Sequence, residues 1–363
     1  MVPPPFNRRF EKYNEGNNPG VAVMAIRNGE VLFKGGFGLA NLQTGEKVST
    51  ATNFDVASVS KQFTAMAIAI LAERGELSVD TGIHRFFPDL PDYMKEISVH
   101  HLIHHLSGLP DYEDDFESTN TDKDLISNTD IYNFYKHGSK LEFQPGKRFE
   151  YSNGGYILLA MIIELVSGLS YHQFMHENLF KPANMPGTAV YKHQGVIENR
   201  AISYSRWPFF ENNDFNTCNA LTGDGRIYTS IDDAVGWIDS LENNRLVNAA
   251  TTKMIFSAAT DNNGDSVDYG YGWEITDFYK HKLIVHSGGW QGFNSIIANF
   301  PKHNLWLVSY ANCQSVSAGH AFEEMARHYL KIRELAFFQF LVPIHKPALL
   351  RIPQDTRSFT DHM

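Results

Sequence analysis

The chain has 363 residues, 43% of them hydrophobic, with a formal net charge of -10 and a pI near 5.9. That length and apolar content suit a large core shared by two domains. No basic run interleaved with aromatics is present, so nucleic acid is not an expected partner. No apolar run approaches the roughly 20 residues needed to cross a bilayer; 65–72 is the densest and is far too short.

Two cysteines, Cys218 and Cys313, are too few for a disulfide framework; they can form one bridge, but two buried free thiols are the favoured reading. The start, Met1-Val2-Pro3-Pro4-Pro5-Phe6, lacks the basic-then-apolar pattern of an export leader. Localisation stays open between the cytoplasm and an exported protein whose leader has been removed.

In chain order, Val21 to Ile26 and Val31 to Phe37 read as strands joined by Asn28-Gly29, a favoured two-residue turn. Leu39 to Leu42 extends them as a third short strand. A helix follows, with Phe63, Met66, Ala67, Ile70 and Leu71 at helical spacing and a stop at Gly75. Asp80 to Asp115 reads as short helices and loops. Ile126 to His137, Tyr156 to Val166 and Tyr171 to Leu179 read as helices. Strand character returns in Ala220 to Ser230, Gly270 to Ile275, Leu283 to His286, Asn294 to Phe300 and Leu305 to Ala311. Asp232 to Leu241 and Gly319 to Lys331 read as helices between and after them.

Strands at both ends around a helical middle predict an α/β (α+β) fold. An antiparallel sheet built from both chain ends is flanked by helices, with a mainly helical insertion. The expected division is residues 1–80 and 218–335 for the sheet domain and 81–217 for the insertion. Residues 336–363, which include Pro343, Pro347 and Pro353, read as an irregular tail.

Three short motifs carry chemistry. Ser58 stands three residues before Lys61 at the head of the first helix. Positions three apart share a helix face, so hydroxyl and amine point into one space. A helix N-terminus also favours developing negative charge. Tyr151-Ser152-Asn153 follows the turn Pro145-Gly146 and can present Tyr151 and Asn153 from one tight loop. His286-Ser287-Gly288-Gly289 ends a strand, with glycines that admit a ligand close to the backbone.

With these motifs in this order, the chain resembles the serine beta-lactamase and penicillin-binding hydrolase superfamily. It is most similar to the branch that holds class C beta-lactamases, DD-peptidases and family VIII-like esterases. The three motifs match that branch's Ser-x-x-Lys, Tyr-x-Asn and Lys- or His-x-Gly. Their flanks agree as well: Phe54-Asp55-Val56-Ala57, His105-Leu106-Ser107-Gly108-Leu109-Pro110 and Ser287-Gly288-Gly289-Trp290. The similarity covers roughly residues 20–330.

The resemblance implies a beta-lactamase/transpeptidase-like fold and an acyl-enzyme mechanism without cofactor or metal. Ser58 is then the nucleophile. Lys61 and Tyr151 are the candidate bases, with the Lys61 charge expected to lower the Tyr151 pKa. The backbone N–H groups of Ser58 and Gly289 form the oxyanion site. Asn153 is the donor to the substrate acyl chain, and His286 lines the opposite wall and connects to Tyr151. Ser287, Gly288 and Trp290 complete the substrate-binding strand. His286 replaces the lysine of true class C beta-lactamases. At an ordinary pKa of about 6.5 it is mostly neutral at pH 7 and charges below that. Leu106 stands where relatives usually carry threonine. No deacylating glutamate of the class A type is evident, and Glu164 reads as a surface residue.

His100-His101 and His104-His105 read as satisfied loop and helix histidines rather than a metal site. The acidic run Glu113-Asp114-Asp115 with Glu117 reads as a solvated loop that can also rim the cleft. Tyr112, Phe116, Trp207, Phe209, Phe210 and Trp290 are candidates for an acyl pocket or for core. A Ser-His-Asp hydrolase is disfavoured by the lack of a Gly-x-Ser-x-Gly elbow. A non-catalytic penicillin-binding or assembly-forming relative is disfavoured because Ser58, Lys61 and Tyr151 all stand. The expected partner is a small-molecule or peptide substrate with an ester, amide or beta-lactam-like bond.

Overall fold

A computed structural model of the chain describes residues 6–114, 125–138, 140–206 and 209–332. The N-terminal hairpin forms as its pattern demands. Strands Val21–Arg27 and Glu30–Phe37 pair antiparallel across Asn28 and Gly29, whose φ values of 52° and 75° are those of the turn that suits twisted strands. Strand Val21–Arg27 then pairs along its whole length with Leu305–Ala311, from Val21 opposite Ala311 to Arg27 opposite Leu305.

The two chain ends thus build one six-stranded antiparallel sheet. Its order is Glu274–Phe278, His281–Trp290, Phe293–Phe300, Leu305–Ala311, Val21–Arg27 and Glu30–Phe37. Leu305–Ala311, near the middle, is buried at every residue. Alternate side chains of a strand face opposite layers. Ala22, Met24 and Ile26 join the core beneath helix Lys61–Glu73. Val21, Val23 and Ala25 join a second core with Phe322 and Met325 of helix Ala318–Leu330.

The chain between the strands supplies a helical subdomain. Helix Lys61–Glu73 is buried at every residue through Leu71, with helix Asn153–Ser167 packed against it. It therefore lacks the solvent face that its apolar spacing suggests.

Several bounds differ from the sequence reading. The motif helix begins at Asn153, not Tyr156, with Ser152 at the cap position. The helix expected over Ile126 to His137 spans Asn128–Lys136, capped by Ser127. Helix Tyr171–Met175 passes into a π-helical turn at His176–Phe180. In the stretch Ala220 to Ser230 only Ile227–Thr229 is strand. Ser230 caps the helix Ile231–Glu242 through the Asp233 N–H.

The strand expected over Gly270 to Ile275 starts instead at Glu274. The residues before it make a turn in which Gly272, with φ 76°, lies against the start of helix Lys61–Glu73. A Cβ there would sit 2.6 Å from the Gln62 nitrogen. The strand expected to stop at His286 runs on to Trp290, since Ser287, Gly288 and Gly289 stay paired with Ile296, Ser295 and Asn294. Asp115, Phe116, Glu117, Trp207 and the tail 336–363 lie outside the described residues.

Candidate active site

Ser58 sits in a 3-10 turn, Ala57–Ser60, that runs into helix Lys61–Glu73. The turn is entered through Ala57 in a left-handed conformation, φ 46°. The Ala57 N–H is taken by the Asp55 Oδ1 at 2.8 Å. Val56 is fixed from both ends: its N–H donates to the Ile227 carbonyl at 2.9 Å, and its carbonyl accepts from the Ser295 hydroxyl at 2.7 Å. Ser58 is half-buried, with the closest part of strand His281–Trp290 beside it. A Cβ on Gly288 would lie 2.3 Å from the Val56 oxygen and 2.9 Å from the Ser58 nitrogen. Only glycine allows that approach.

Lys61 is fully buried. Its Nζ donates to Ser58 Oγ at 3.1 Å, to Asn153 Oδ1 at 2.8 Å and to the Asp224 carbonyl at 2.9 Å. Burial lowers its pKa to about 8, against the pull of Asp224, Asp111 and Glu113 toward the charged form. A buried amine with a lowered pKa, within hydrogen-bond reach of a hydroxyl, is poised to take that hydroxyl's proton.

Tyr151 comes to the same place. Its ring stacks on His105, centroids 4.3 Å apart, and the Lys61 Nζ lies 4.9 Å from its ring centroid. The His105 Nδ1 accepts the Ser152 N–H at 3.1 Å, and the His105 carbonyl accepts the Glu150 N–H at 2.9 Å. The His105 segment therefore holds the Tyr151 loop. Leu106, where relatives usually carry threonine, is buried with Ala259, Val267 and Tyr269, and Tyr151 packs on that cluster.

The Tyr151 hydroxyl is buried and makes no hydrogen bond of normal geometry, although Ser58 is the neighbour that draws its pKa down. Burial outweighs that pull and raises the phenol well above its ordinary value. This reverses the expectation of a lowered tyrosine pKa. The Lys61 cation faces the ring rather than the oxygen, so it does little for a phenolate.

His286 also differs from expectation. It is buried in the sheet, and its Nδ1 donates to the Ser287 carbonyl at 2.7 Å. Its Nε2 therefore accepts, from the Tyr269 hydroxyl at 2.9 Å. Burial, then the Lys61 charge, lowers its pKa to about 3. The imidazole is neutral throughout the working range, and no charge appears near pH 6.5. It meets Tyr151 ring to ring, centroids 6.3 Å apart, without a hydrogen bond.

Asn153 is buried at the first helical position, and its carboxamide is fully engaged. The oxygen accepts from Lys61, while Nδ2 donates to Asp111 Oδ2 at 3.1 Å and Glu113 Oε1 at 3.2 Å. The amide expected to donate to a substrate is thus committed to two carboxylates. Burial raises both carboxyl pKa values; the Asp111 and Asp224 charges raise Glu113 further, and the Asp224 charge raises Asp111 against the Asn153 and Glu113 N–H groups that lower it. Glu113 is therefore part of the site and not simply solvated loop.

Tyr112 is core, its hydroxyl donating to Asp224 Oδ2 at 2.8 Å. Asp111, Asp224 and Tyr269 are the site members that the sequence reading passed over. An Asp-Tyr-Glu run directly after the Gly-Leu-Pro turn was the available signal.

Trp290 is half-buried at the end of the substrate strand and donates its indole N–H to Asn219 Oδ1 at 3.1 Å. Phe209 and Phe210 lie elsewhere, in a depression with Leu42 and Tyr204 that shares no lining residue with Ser58, Lys61 or Tyr151.

The four histidines 100, 101, 104 and 105 are used structurally. His101 Nδ1 accepts the Ser98 N–H in a capping box, and His104 Nδ1 donates to the His100 carbonyl. Among the described residues no group of three His, Cys, Asp or Glu is placed to hold a metal ion. Cys218 and Cys313 are both free and buried. No single described helix is long and apolar enough to cross a membrane.

Comparison with known proteins agrees with this fold. The sequence model of the Beta-lactamase family matches residues 6–330. The chain is 30% identical over 319 residues to penicillin-binding protein 4* of Bacillus subtilis (strain 168), covering 84% of this chain and 70% of that one. It is 28% identical to protein flp of Staphylococcus aureus (strain MRSA252), covering 83% of this chain and 61% of the relative's length. Among solved structures, the penicillin binding protein from Bacillus halodurans superposes with a TM-score of 0.74 at 26% identity, over 84% of this chain and 95% of that one. The fold is shared with D-amino acid amidase from Ochrobactrum anthropi SV3 in complex with D-phenylalanine, at a TM-score of 0.73 and 23% identity. That match covers 90% of this chain and 98% of the amidase.

Proposed function

The chain belongs to the Beta-lactamase family, and on that premise we propose that it is a serine hydrolase working through an acyl-enzyme on Ser58. The observation that carries this reading is the buried Lys61 amine, at a pKa of about 8, in hydrogen-bond contact with the Ser58 hydroxyl. Roughly one tenth of such an amine is neutral at pH 7. That fraction accepts the hydroxyl proton as Ser58 Oγ attacks the substrate carbonyl.

The oxyanion is received by the N–H groups of Ser58 and Gly289. Tyr151 stays protonated and acts as a hydroxyl between Ser58 and the leaving group. Lys61, carrying the Ser58 proton, returns it to the departing amine or alkoxide, and the Tyr151 hydroxyl donates a hydrogen bond to that group. Water then attacks the ester on Ser58 by the same route reversed, releasing the acid and restoring the hydroxyl. His286 serves the wall as a neutral acceptor for Tyr269, not as a charge or a proton donor. With no fixed cation at this place, the site makes no demand for a substrate carboxylate.

The acyl side of the cleft points to a further preference. Asn153 has spent its donors on Asp111 and Glu113. What remains for the substrate is therefore two carboxyl groups whose negative charge grows as pH rises, which suit an ammonium group near the reacting carbonyl. We read the substrate class as esters or amides of amino compounds rather than acylated, carboxylate-bearing beta-lactams.

Four substrates test this on pure protein: a short p-nitrophenyl ester, a D-amino acid amide, a D-Ala-D-Ala peptide and a chromogenic cephalosporin. Fluorophosphonate labelling with peptide mapping accompanies them. Turnover of the ester and amide with label on Ser58 supports the proposal. Label on another serine, or undiminished turnover by Ser58→Ala, overturns it. Label on Ser58 without turnover of any substrate turns the chain into a penicillin-binding relative rather than a hydrolase.

A further inference from the structure

Arg226 holds φ at 69°, a left-handed conformation that costs a long side chain more than it costs glycine. The side chain compensates with two contacts. Its Nη1 donates to Asp55 Oδ2 at 2.5 Å, in a pair whose side chains are 7% and 0% exposed. Its guanidinium carbon lies 4.2 Å from the ring centroid of Trp290. Through Asp55 the arginine reaches the Ala57 N–H, one residue before Ser58, where the backbone is again left-handed. Through Trp290 it reaches the strand that carries Gly288 and Gly289. One buried cation therefore touches both the turn that bears Ser58 and the wall opposite it.

The segment around Arg226 is tied to the same turn throughout. The Gly223 carbonyl accepts from the Thr64 hydroxyl at 2.6 Å and the Asp224 carbonyl from Lys61 at 2.9 Å. The Ile227 N–H donates to Ser60 Oγ at 3.2 Å, and its carbonyl accepts from Val56.

We propose that Arg226 is a positioning residue for acyl transfer, fixing Ser58 through Asp55 and Ala57 and the opposite wall through Trp290. The inference rests on Ser58 being the nucleophile. A buried carboxylate without its cation takes up a proton, and a neutral carboxyl holds a backbone N–H less tightly than a carboxylate does. Ala57 is then free to leave its left-handed conformation, and the Ser58 hydroxyl and N–H leave the attack geometry with it. The guanidinium lies between the Asp55 carboxylate and the Trp290 ring, so its charge is already matched within the protein.

The test compares Arg226→Gly, which suits the backbone, with Arg226→Lys, which keeps the charge but loses the planar fork. Arg226→Gly is expected to lower kcat and the rate of fluorophosphonate labelling at Ser58 by at least about tenfold, with KM changed by less than about twofold. Guanidinium ion at millimolar concentration restores part of the loss, and Arg226→Lys falls between wild type and Arg226→Gly. Hydrogen exchange of the peptide spanning 54–60 rises in Arg226→Gly while that of 305–311 stays as in wild type. A loss confined to KM overturns the proposal, because it makes Arg226 a substrate contact. Unchanged exchange in 54–60 overturns it whatever the activity does. Failure of wild type to label at Ser58 would instead sink the nucleophile assignment, and the exchange comparison still decides whether Arg226 holds the turn.

Discussion

The Lys61 ammonium lies over the face of the Tyr151 ring, 4.9 Å from its centroid, and hydrogen-bonds Ser58 rather than the phenol. In the proposed mechanism, the two groups serve one acyl transfer in different roles. Lys61 is the group with a pKa near the working range, and Tyr151 is a hydroxyl that stays protonated. Residues that act as a unit lose activity non-additively. Lys61→Ala and Tyr151→Phe are each expected to lower kcat by about a hundredfold or more, with the double variant little worse than the poorer single one. Full additivity of the two log-rate losses, measured on one ester, argues for independent action. Tyr151→Phe also removes a buried hydroxyl without a hydrogen bond. It should stabilise the fold by about 1 kcal/mol in urea unfolding, since such a group is costly to bury.

The lowered pKa of Lys61 has two pH consequences. Activity requires the neutral amine, so kcat/KM for an uncharged ester rises with pH and levels off above about 8. Stability follows the same group. Between pH 8 and the ordinary lysine range, the unfolded chain still holds the proton that the folded chain has lost, so stability rises with pH there. The slope is at most about 1.4 kcal/mol per pH unit. Lys61→Met should lack it, and the wild-type-minus-variant difference between pH 8 and 9.5 isolates it from the tyrosines. A difference flat with pH contradicts a lowered lysine.

His286 stays neutral down to about pH 3. From pH 5 to 8 the buried carboxyls of Asp111 and Glu113 titrate, so the ratio of kcat/KM for an uncharged ester to that for a cephalosporin should follow one pH profile in wild type and in His286→Gln. His286→Lys brings in a cation and moves the ratio toward the carboxylate-bearing substrate. A swing near pH 6.5 that His286→Gln abolishes would show an imidazole open to solvent. Tyr269→Phe leaves the buried Nε2 without its donor. That should lower stability by about 1–3 kcal/mol, the cost of one orphaned buried acceptor.

Glu113→Gln tests the reading of the acyl side. Glu113 titrates above the ordinary carboxylate range because it is buried beside Asp111. Rising pH completes its charge, while a primary α-ammonium loses its own at about pH 8, so KM for a trimethylammonium analogue of the D-amino acid amide should fall as pH rises through that raised range. The glutamine variant should raise this KM by about tenfold, the size of one charge-assisted contact, and remove its pH dependence. KM for a neutral ester should not move. Equal changes for both substrates would make Glu113 a support for Asn153 only.

The sequence was most informative where chemistry is local. Ser58 with Lys61, and Tyr151 with Asn153, lie within one turn of each other, and spacing alone brings each pair to one place. The sheet was equally legible, because Val21–Arg27 and Leu305–Ala311 are covered on both faces and read as nearly continuous apolar runs. Contacts between distant residues were not legible. Asp55 and Arg226 are 171 positions apart, and Asn153 meets Glu113 across 40. Neither spacing carries a signal. Protonation was the other blind spot. The identity of His286 suggested a switch near neutrality, but burial inside the sheet removed it. The phenol of Tyr151 moved the opposite way from expectation for the same reason.

The pairing of strand Val21–Arg27 with Leu305–Ala311 has a consequence for synthesis. Gly20 and Asn312, which hydrogen-bond at 2.7 Å, are 292 positions apart. Every residue assigned to the reaction has been translated once Trp290 is made. Yet the strand that joins the N-terminal hairpin to the substrate strand's neighbour comes later. Contacts so far apart in sequence form late. On the proposed mechanism, a nascent or prematurely terminated chain ending between Trp290 and Leu305 carries the whole reactive set and is expected to be inert toward acyl donors. The sheet then serves as a completeness check on each copy, with acylation of Ser58 waiting for strand Leu305–Ala311.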